Sequence, residues 1–416
     1  MKRRLCRSVV LVLLAVAIVA APVLASGCGD GGGEPTNEIV IGFLADFTGV
    51  SALTSIELHK GFNDYLKMAE EEGLLEGVKV KLPTYDSRLD YARVVPGYLW
   101  LKGQGSDLIW DFSPIFCAML VDKHQQDHLP SYTFQSDLAF LDQPWMWSFG
   151  ADYTTEGEAI IEWILKDWED KGEAWPVVVG HAQIAGYQSS VQMQAVFEEY
   201  AADYPDKMVI KGASAPLGNT SWATEYGKLK DCDIIVCNLL GPSMATWLRE
   251  CAERGYQGRH LGSSLSFMGF WELAREAVGD IGKLDGCLAI HNQMLWTDDS
   301  TFIAELNAAL QKYRPGEAAE MKKGTSWPTG WLTGMILTDV IARAVEAVGA
   351  ENVDATAINE ALAATDIPRI DGWGEAFKYR DGSNVMYRMY RIIDFRSASD
   401  EWFGLTDWYM APRWAS

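Results

Sequence analysis

Residues 107–136, DLIWDFSPIFCAMLVDKHQQDHLPSYTFQS, decide the fold, because a strand, a polar turn, a helix and a second strand follow one another without a gap. Residues 107–110 make a short apolar run. Ser113 and Pro114 stand where a helix N-cap and a first-turn proline belong, and 115–126 is apolar on one side. A second short strand ends in Ser131-Tyr132-Thr133. The stretch reads as one βαβ unit. In an open parallel sheet, ligands bind beyond the carboxyl ends of the strands, where helix N-termini favour anionic or polar groups. Residues 111–114 and 133–136 are therefore expected to be the two polar lips of one pocket.

The same alternation continues outward. Residues 38–44 (EIVIGFL) read as a first strand, 45–51 as a turn-rich loop and 55–72 as an amphipathic helix. A strand over 78–85 and a helix over 90–102, interrupted by Pro96-Gly97, lead into the central unit. Strict strand–helix order implies a parallel sheet with right-handed crossovers. Beyond 145–149 the pattern restarts, with helices at 154–171, 187–200, 220–230, 243–254 and 270–278 between strands at 176–180, 208–213, 233–237 and 260–262. A strand at 286–291 and helices at 301–313, 331–348 and 355–363 follow. The tail changes character, since 385–395 (VMYRMYRIIDF) alternates apolar and polar residues and 401–405 is a further extended piece. The fold class is α/β, with two doubly wound parallel-sheet halves.

A chain of 416 residues exceeds one ordinary core and suffices for two domains. With 48% apolar and 22% charged residues it has the composition of a globular protein. The formal charge of -22 argues against nucleic acid or an anionic membrane surface as the main partner. Seventeen Trp residues suit walls where flat apolar area meets a polar edge, as well as ordinary core. Lys2, Arg3, Arg4 and Arg7 precede an uncharged apolar run over 9–21, and Leu24-Ala25-Ser26-Gly27-Cys28 follows. Residues 29–35 read as a flexible spacer. Without the basic leader the charge is about -26. Five cysteines lie beyond Cys28, an odd number that cannot pair fully within one chain. Cys232, Cys237 and Cys251 read either as a disulfide or soft-metal site or as small buried hydrophobes.

The segment ending at Cys28 resembles a bacterial lipoprotein signal, in which a cysteine is lipidated and becomes the mature N-terminus. Together with the glycine spacer, EIVIGFLADFTG, the two βα halves and a long helix entered through Thr329-Gly330-Trp331, the chain resembles type I periplasmic-binding proteins of ABC importers. The group is the leucine/isoleucine/valine-binding, amide-binding and urea-binding family. The resemblance implies a signal at 1–27, a tether at 28–37, a first lobe from 38–150 with 292–373, and a second from 151–291 with 374–416. It implies a three-strand hinge between the lobes, a small solute as ligand, an ABC permease as partner, no cofactor, and a monomer lipid-anchored outside the cytoplasm. Carried onto this sequence, the first-lobe contacts fall on Leu53, Thr54, Phe112, Ser113, Thr133, Phe134, Gln135 and Ser136. Those of the second lobe fall on Tyr187, Leu240 and Ser264, with Trp331 heading the long helix and Trp327 just before it. Hydroxyls and backbone N–H groups there suit a carboxylate or amide. Ser264 lies in the stretch where amino-acid binders carry an acid that meets the ammonium, which counts against an α-amino-acid ligand.

Enzymatic readings find less support. His124 and His128 have i, i+4 spacing with Asp122 and Asp127 nearby, but no Glu completes an HExxH motif, and a solvated helix end is the expectation. No G-x-S-x-G or P-loop occurs, and no G-x-G-x-x-G follows one of the strands as a dinucleotide fingerprint would. A solute-binding lipoprotein, not an enzyme, is therefore expected. A receptor for a signalling partner and a hydrolase or amidase on the same fold are the alternatives.

Overall fold

The computed structural model describes residues 37–75, 77–264, 266–380 and 383–415. The expected signal at 1–27 and the expected tether from Cys28 to residue 36 lie outside the described residues. Six strands open the chain: β1 (Asn37–Ala45), β2 (Val78–Lys81), β3 (Thr84–Asp86), β4 (Leu108–Asp111), β5 (Ser131–Gln135) and β6 (Met146–Gly150). They form a sheet in which every pairing is parallel, with order β6-β5-β4-β1-β2 and β3 also beside β1. Strands β7 (Val177–Ile184), β8 (Met208–Ala215), β9 (Ile234–Asn238), β10 (Arg259–Gly262) and β11 (Leu288–His291) form a second parallel run, ordered β11-β10-β9-β7-β8. The doubly wound expectation holds in both lobes.

Burial on both faces explains the apolar strands. In β9, Ile234 and Val236 face one helix layer while Ile235 and Cys237 face the other. In β1, Ile39, Ile41 and Phe43 join one core and Leu44 another. Alternating Cβ directions divide these strands between two cores, which favours apolar residues at successive positions.

The last part of the chain departs from the sequence reading. A small hairpin of β12 (Asp366–Ile367) and β13 (Phe377–Lys378) precedes β14 (Val385–Tyr387), which pairs with β6 in the first sheet. After Arg388, β15 (Met389–Arg396) pairs antiparallel with β11, β16 (Glu401–Gly404) and β17 (Tyr409–Met410) in the second sheet. The stretch over 385–395, expected as one strand wholly in the second lobe, is thus two strands in two sheets. Alternation alone gives a strand's faces and not its partner, so the break was invisible. The chain passes between the sheets three times, after β6, after β11 and between β14 and β15. The helices Thr301–Tyr313, Ser326–Val348 and Ala355–Ala363 pack into the core of the first lobe.

The long helix starts at Ser326 and not at Trp331. Pro328 sits in its first turn, where a missing N–H costs nothing. That helix crosses Ala52–Glu71 at backbone contact: a Cβ on Gly330 would lie 2.0 Å from the Leu58 carbonyl oxygen, and one on Gly61 2.1 Å from that of Trp327. Only glycine fits there.

Candidate functional site

Between the two sheets, beyond the carboxyl ends of their strands, lies a cavity walled by both lobes. Its volume is about 90 Å3 for the centre of a water-sized sphere. A single water needs about 10–15 Å3 on that measure, so the space admits a small solute.

Each wall follows from a strand end. After β1, Asp46 folds the loop back on itself: its carboxylate accepts from the N–H groups of Gly49 (2.6 Å) and Ser51 (2.9 Å). This turns Ser51 inward at the start of the helix Ala52–Glu71, whose Thr54 and Leu58 carry the same face onward. After β3, Arg88 and Leu89 both adopt left-handed backbone (φ 59° and 53°), a conformation costing about 1–2 kcal/mol per L-residue. Asp86 and Ser87 hold it by accepting from the two N–H groups, and the Leu89 side chain reaches the cavity. After β4, Phe112, Ser113 and Pro114 open the helix Pro114–Asp127. After β5 come Phe134 and Gln135, with the Phe134 ring stacked on Phe149 at 5.1 Å.

The second lobe contributes Tyr187, Leu240, Ser264 and the turn Met268-Gly269-Phe270. Gln293, on the passage after β11, and Thr325, Ser326 and Thr329, at the start of the long helix, complete the wall. Thr329 Oγ donates to Gln293 Oε1 at 2.7 Å, and the Gln293 carbonyl accepts from Arg391, itself paired with Asp298. No Asp, Glu, Lys, Arg or His is among the described residues lining the cavity. Aromatic and aliphatic walls with scattered hydroxyls and amides can hold a small solute with an apolar body and a polar end.

Of the residues expected from the sequence, Thr54, Phe112, Ser113, Phe134, Gln135, Tyr187, Leu240 and Ser264 come together here. Four do not line it. Leu53 is 59% exposed, because one helical residue rotates the side chain about 100° from Thr54. Thr133 shares the strand face of Ser131 and points toward Cys117, behind the sheet. Ser136 is fully buried beyond the strand end, its N–H bonded to the Gly150 carbonyl. Trp331 lies in the core against Trp327 (5.2 Å) and Tyr65 (5.1 Å). The earlier helix start puts the first turn, not Trp331, at the cavity.

Beneath Gln135 and Ser264 lies a residue that the sequence reading missed. Glu156, in the first turn of the helix Tyr153–Asp170, is fully buried. Its Oε1 accepts from the Ser264 N–H at 2.8 Å, and its Oε2 accepts from Gln135 Nε2 at 2.9 Å, with Ser264 Oγ 2.6 Å away. Burial pushes its carboxyl above the ordinary range, although these hydrogen bonds oppose the shift. Gln135 belongs to the first sheet, and Ser264 follows a strand of the second. Hydrogen bonds from Thr54 Oγ to the Gly269 carbonyl (2.8 Å) and from Gln192 Nε2 to Asp137 (3.1 Å) also cross between the lobes.

The other candidate chemistry has ordinary explanations. His124 is buried and not solvated: Nδ1 donates to the Leu129 carbonyl at 2.7 Å, and Nε2 lies 3.6 Å from Asp111. His128 caps the helix in left-handed backbone and stacks on Trp145. Cys117, Cys232, Cys237, Cys251 and Cys287 are free and buried. Burial raises the thiol of Cys287 to about 12 and that of Cys232 to about 11, which makes both poor nucleophiles. Among the described residues no group of three or more His, Cys, Asp or Glu could hold a metal ion, and no helix is long and apolar enough to cross a membrane.

A family model described as periplasmic binding protein matches residues 38–398. No curated protein matches the chain. Among solved structures, the branched-chain amino acid ABC transporter of Thermus thermophilus with bound valine is similar, with a TM-score of 0.77 and 15% identity over 91% of this chain and 98% of that one. A fatty acid ABC transporter substrate-binding protein from Thermomonospora curvata gives a TM-score of 0.75 and 16% identity over 90% and 93%. A solute-binding protein from R. palustris in complex with benzoate gives 0.70 and 12% over 88% and 95%.

Proposed function

Because the chain belongs to the periplasmic binding protein family, we propose that it is an extracytoplasmic lipoprotein that captures a small solute between its lobes and delivers it to an ABC permease. The solute is of amino-acid, amide or carboxylate type, with an apolar or aromatic body. The observation that carries this reading is the cavity itself: lined from both lobes, free of charged side chains among the described residues, and walled by Phe112, Phe134, Tyr187 and Phe270. The similar structures named as binding valine, fatty acid or benzoate lend it further support, since all three solutes join an apolar body to a carboxylate. The mechanism is closure. Contacts from both lobes favour the shut form, and the permease recognises that form. Cys28, in its lipobox setting, is the proposed anchor.

Titration calorimetry of the full-length protein against aliphatic amino acids, short amides and aromatic and fatty carboxylates tests the binding step. One class is expected to bind with micromolar or better affinity, and its uptake by cells is expected to need both this protein and a permease. Binding by none of them would count against the reading. Mass spectrometry of the mature N-terminus is expected to find a diacylated Cys28, and an unmodified Met1 would remove the anchor.

A further inference from the structure

Glu156 is a buried carboxyl one layer below the cavity, and among the described residues no Lys, Arg or His is paired with it. The groups that act on it electrostatically are themselves acidic or neutral: Asp152 and Tyr153 on its own helix, Tyr390 on β15 and Tyr409 on β17. Asp137, on the loop after β5, acts on Tyr153 and is repelled in turn by Asp152. An ionised carboxylate can only accept hydrogen bonds. It therefore draws in the Ser264 hydroxyl proton and one proton of the Gln135 amide, which leaves Gln135 Oε1 and Ser264 Oγ 3.3 Å apart as two facing acceptors. Both residues line the cavity, so a donor arriving between the two oxygens satisfies the pair, and a carboxylate arriving between them faces two acceptors.

We infer that Glu156 makes the Gln135–Ser264 end of the cavity an acceptor site, which selects solutes that place an amine or primary amide there and disfavours a carboxylate at the same place. Glu156 is a positioning residue, since it acts on the solute only through Gln135 and Ser264. This rests on the reading of the cavity as the solute site and narrows the solute class. The acceptor site closes when Glu156 takes up a proton: Oε2–H then donates to Ser264 Oγ, Ser264 Oγ–H donates to Gln135 Oε1, and the two oxygens no longer face each other unsatisfied.

The test uses benzamide, benzylamine and benzoate, which share a ring and differ at the polar end, against the full-length protein by titration calorimetry. In the wild type near pH 8, the affinity ratio of amide or amine to carboxylate is expected to fall about tenfold or more on Glu156→Gln, whose amide can itself donate to Ser264 or Gln135. The ratio is expected to fall likewise on acidification to about pH 5 in the wild type but not in the variant. Ser264→Ala, which breaks the relay without touching the carboxyl, is expected to lower the ratio as well, and serves if Glu156→Gln does not fold. A ratio unchanged by both substitutions and by pH, with binding intact, overturns the role of Glu156 and leaves the cavity reading standing. If none of the three binds folded wild-type protein, the inference fails, and the cavity reading is judged by the wider solute panel.

Discussion

Ser113 follows β4 and Thr133 lies in the neighbouring β5, yet one lines the cavity and the other points behind the sheet. Ser113→Ala is therefore expected to weaken solute binding about three- to tenfold by calorimetry, the worth of one hydrogen bond, and Thr133→Val less than twofold. Equal effects would misplace the wall. Glu57 makes a second prediction. Burial on the helix Ala52–Glu71 pushes its carboxyl up to about 7; Lys60 opposes the shift, while Glu320, Glu272 and Glu317 add to it. A folded-state value above the unfolded one means that stability is fully present below about pH 4.5 and is lost as pH rises through about 7. Glu57→Gln, neutral throughout, is expected to gain about 2 kcal/mol in thermal unfolding near pH 8 and almost nothing near pH 4, after allowance for its partial exposure. At this scale the sequence was partly legible. Thr54 and Leu58 share a helical face that excludes Leu53, and the i, i+4 spacing could have said so. Glu156 could not be found that way, because it meets Ser264 across 108 residues of chain.

Elements were read better than residues. The opening stretch folds as β4, the helix Pro114–Asp127 and β5, because proline, the apolar face and the short strands all favour the same arrangement. The long helix begins before the Thr329-Gly330 pair that suggests an entry, and Gly330 instead serves a crossing partner far away in sequence. That crossing is testable. Gly61→Ala and Gly330→Ala each put a methyl group into backbone and are expected to cost about 2–4 kcal/mol in denaturant unfolding, despite the better helix propensity of alanine. Gly227→Ala, in the helix Ala223–Leu229 with open space around it, is expected to stabilise by about 0.5–1 kcal/mol. A loss at Gly227 equal to that at Gly330 would contradict the packing account.

At the scale of the whole molecule, direct hydrogen bonds of Thr54, Gln135 and Gln192 join the lobes around the cavity. The salt bridge of Lys323 to Glu272 (3.6 Å), with Lys323 also on Glu320 (2.8 Å), adds a charged contact across the same gap. Such a balance suits a hinge that a solute can tip. Thr54→Val with Gln192→Ala is expected to enlarge the radius of gyration of the unliganded protein in solution scattering, and a bound solute to restore it. No change in either state would mean that these contacts do not govern closure. The two-lobe architecture was legible from the repeated strand–helix order, but the third passage between the lobes, at Arg388, depends on which sheet each half of an alternating run joins.

The most direct measurement is thermal unfolding of the full-length protein with the solute panel, beside Thr54→Trp, which puts an indole into the cavity. A solute at one hundred times its dissociation constant adds about 2.7 kcal/mol, a rise of roughly 2–4 °C. The account predicts that rise in the wild type and its loss in Thr54→Trp, with the unliganded variant melting close to the wild type. A rise that survives Thr54→Trp, or its absence with every compound, would contradict a solute held between the lobes.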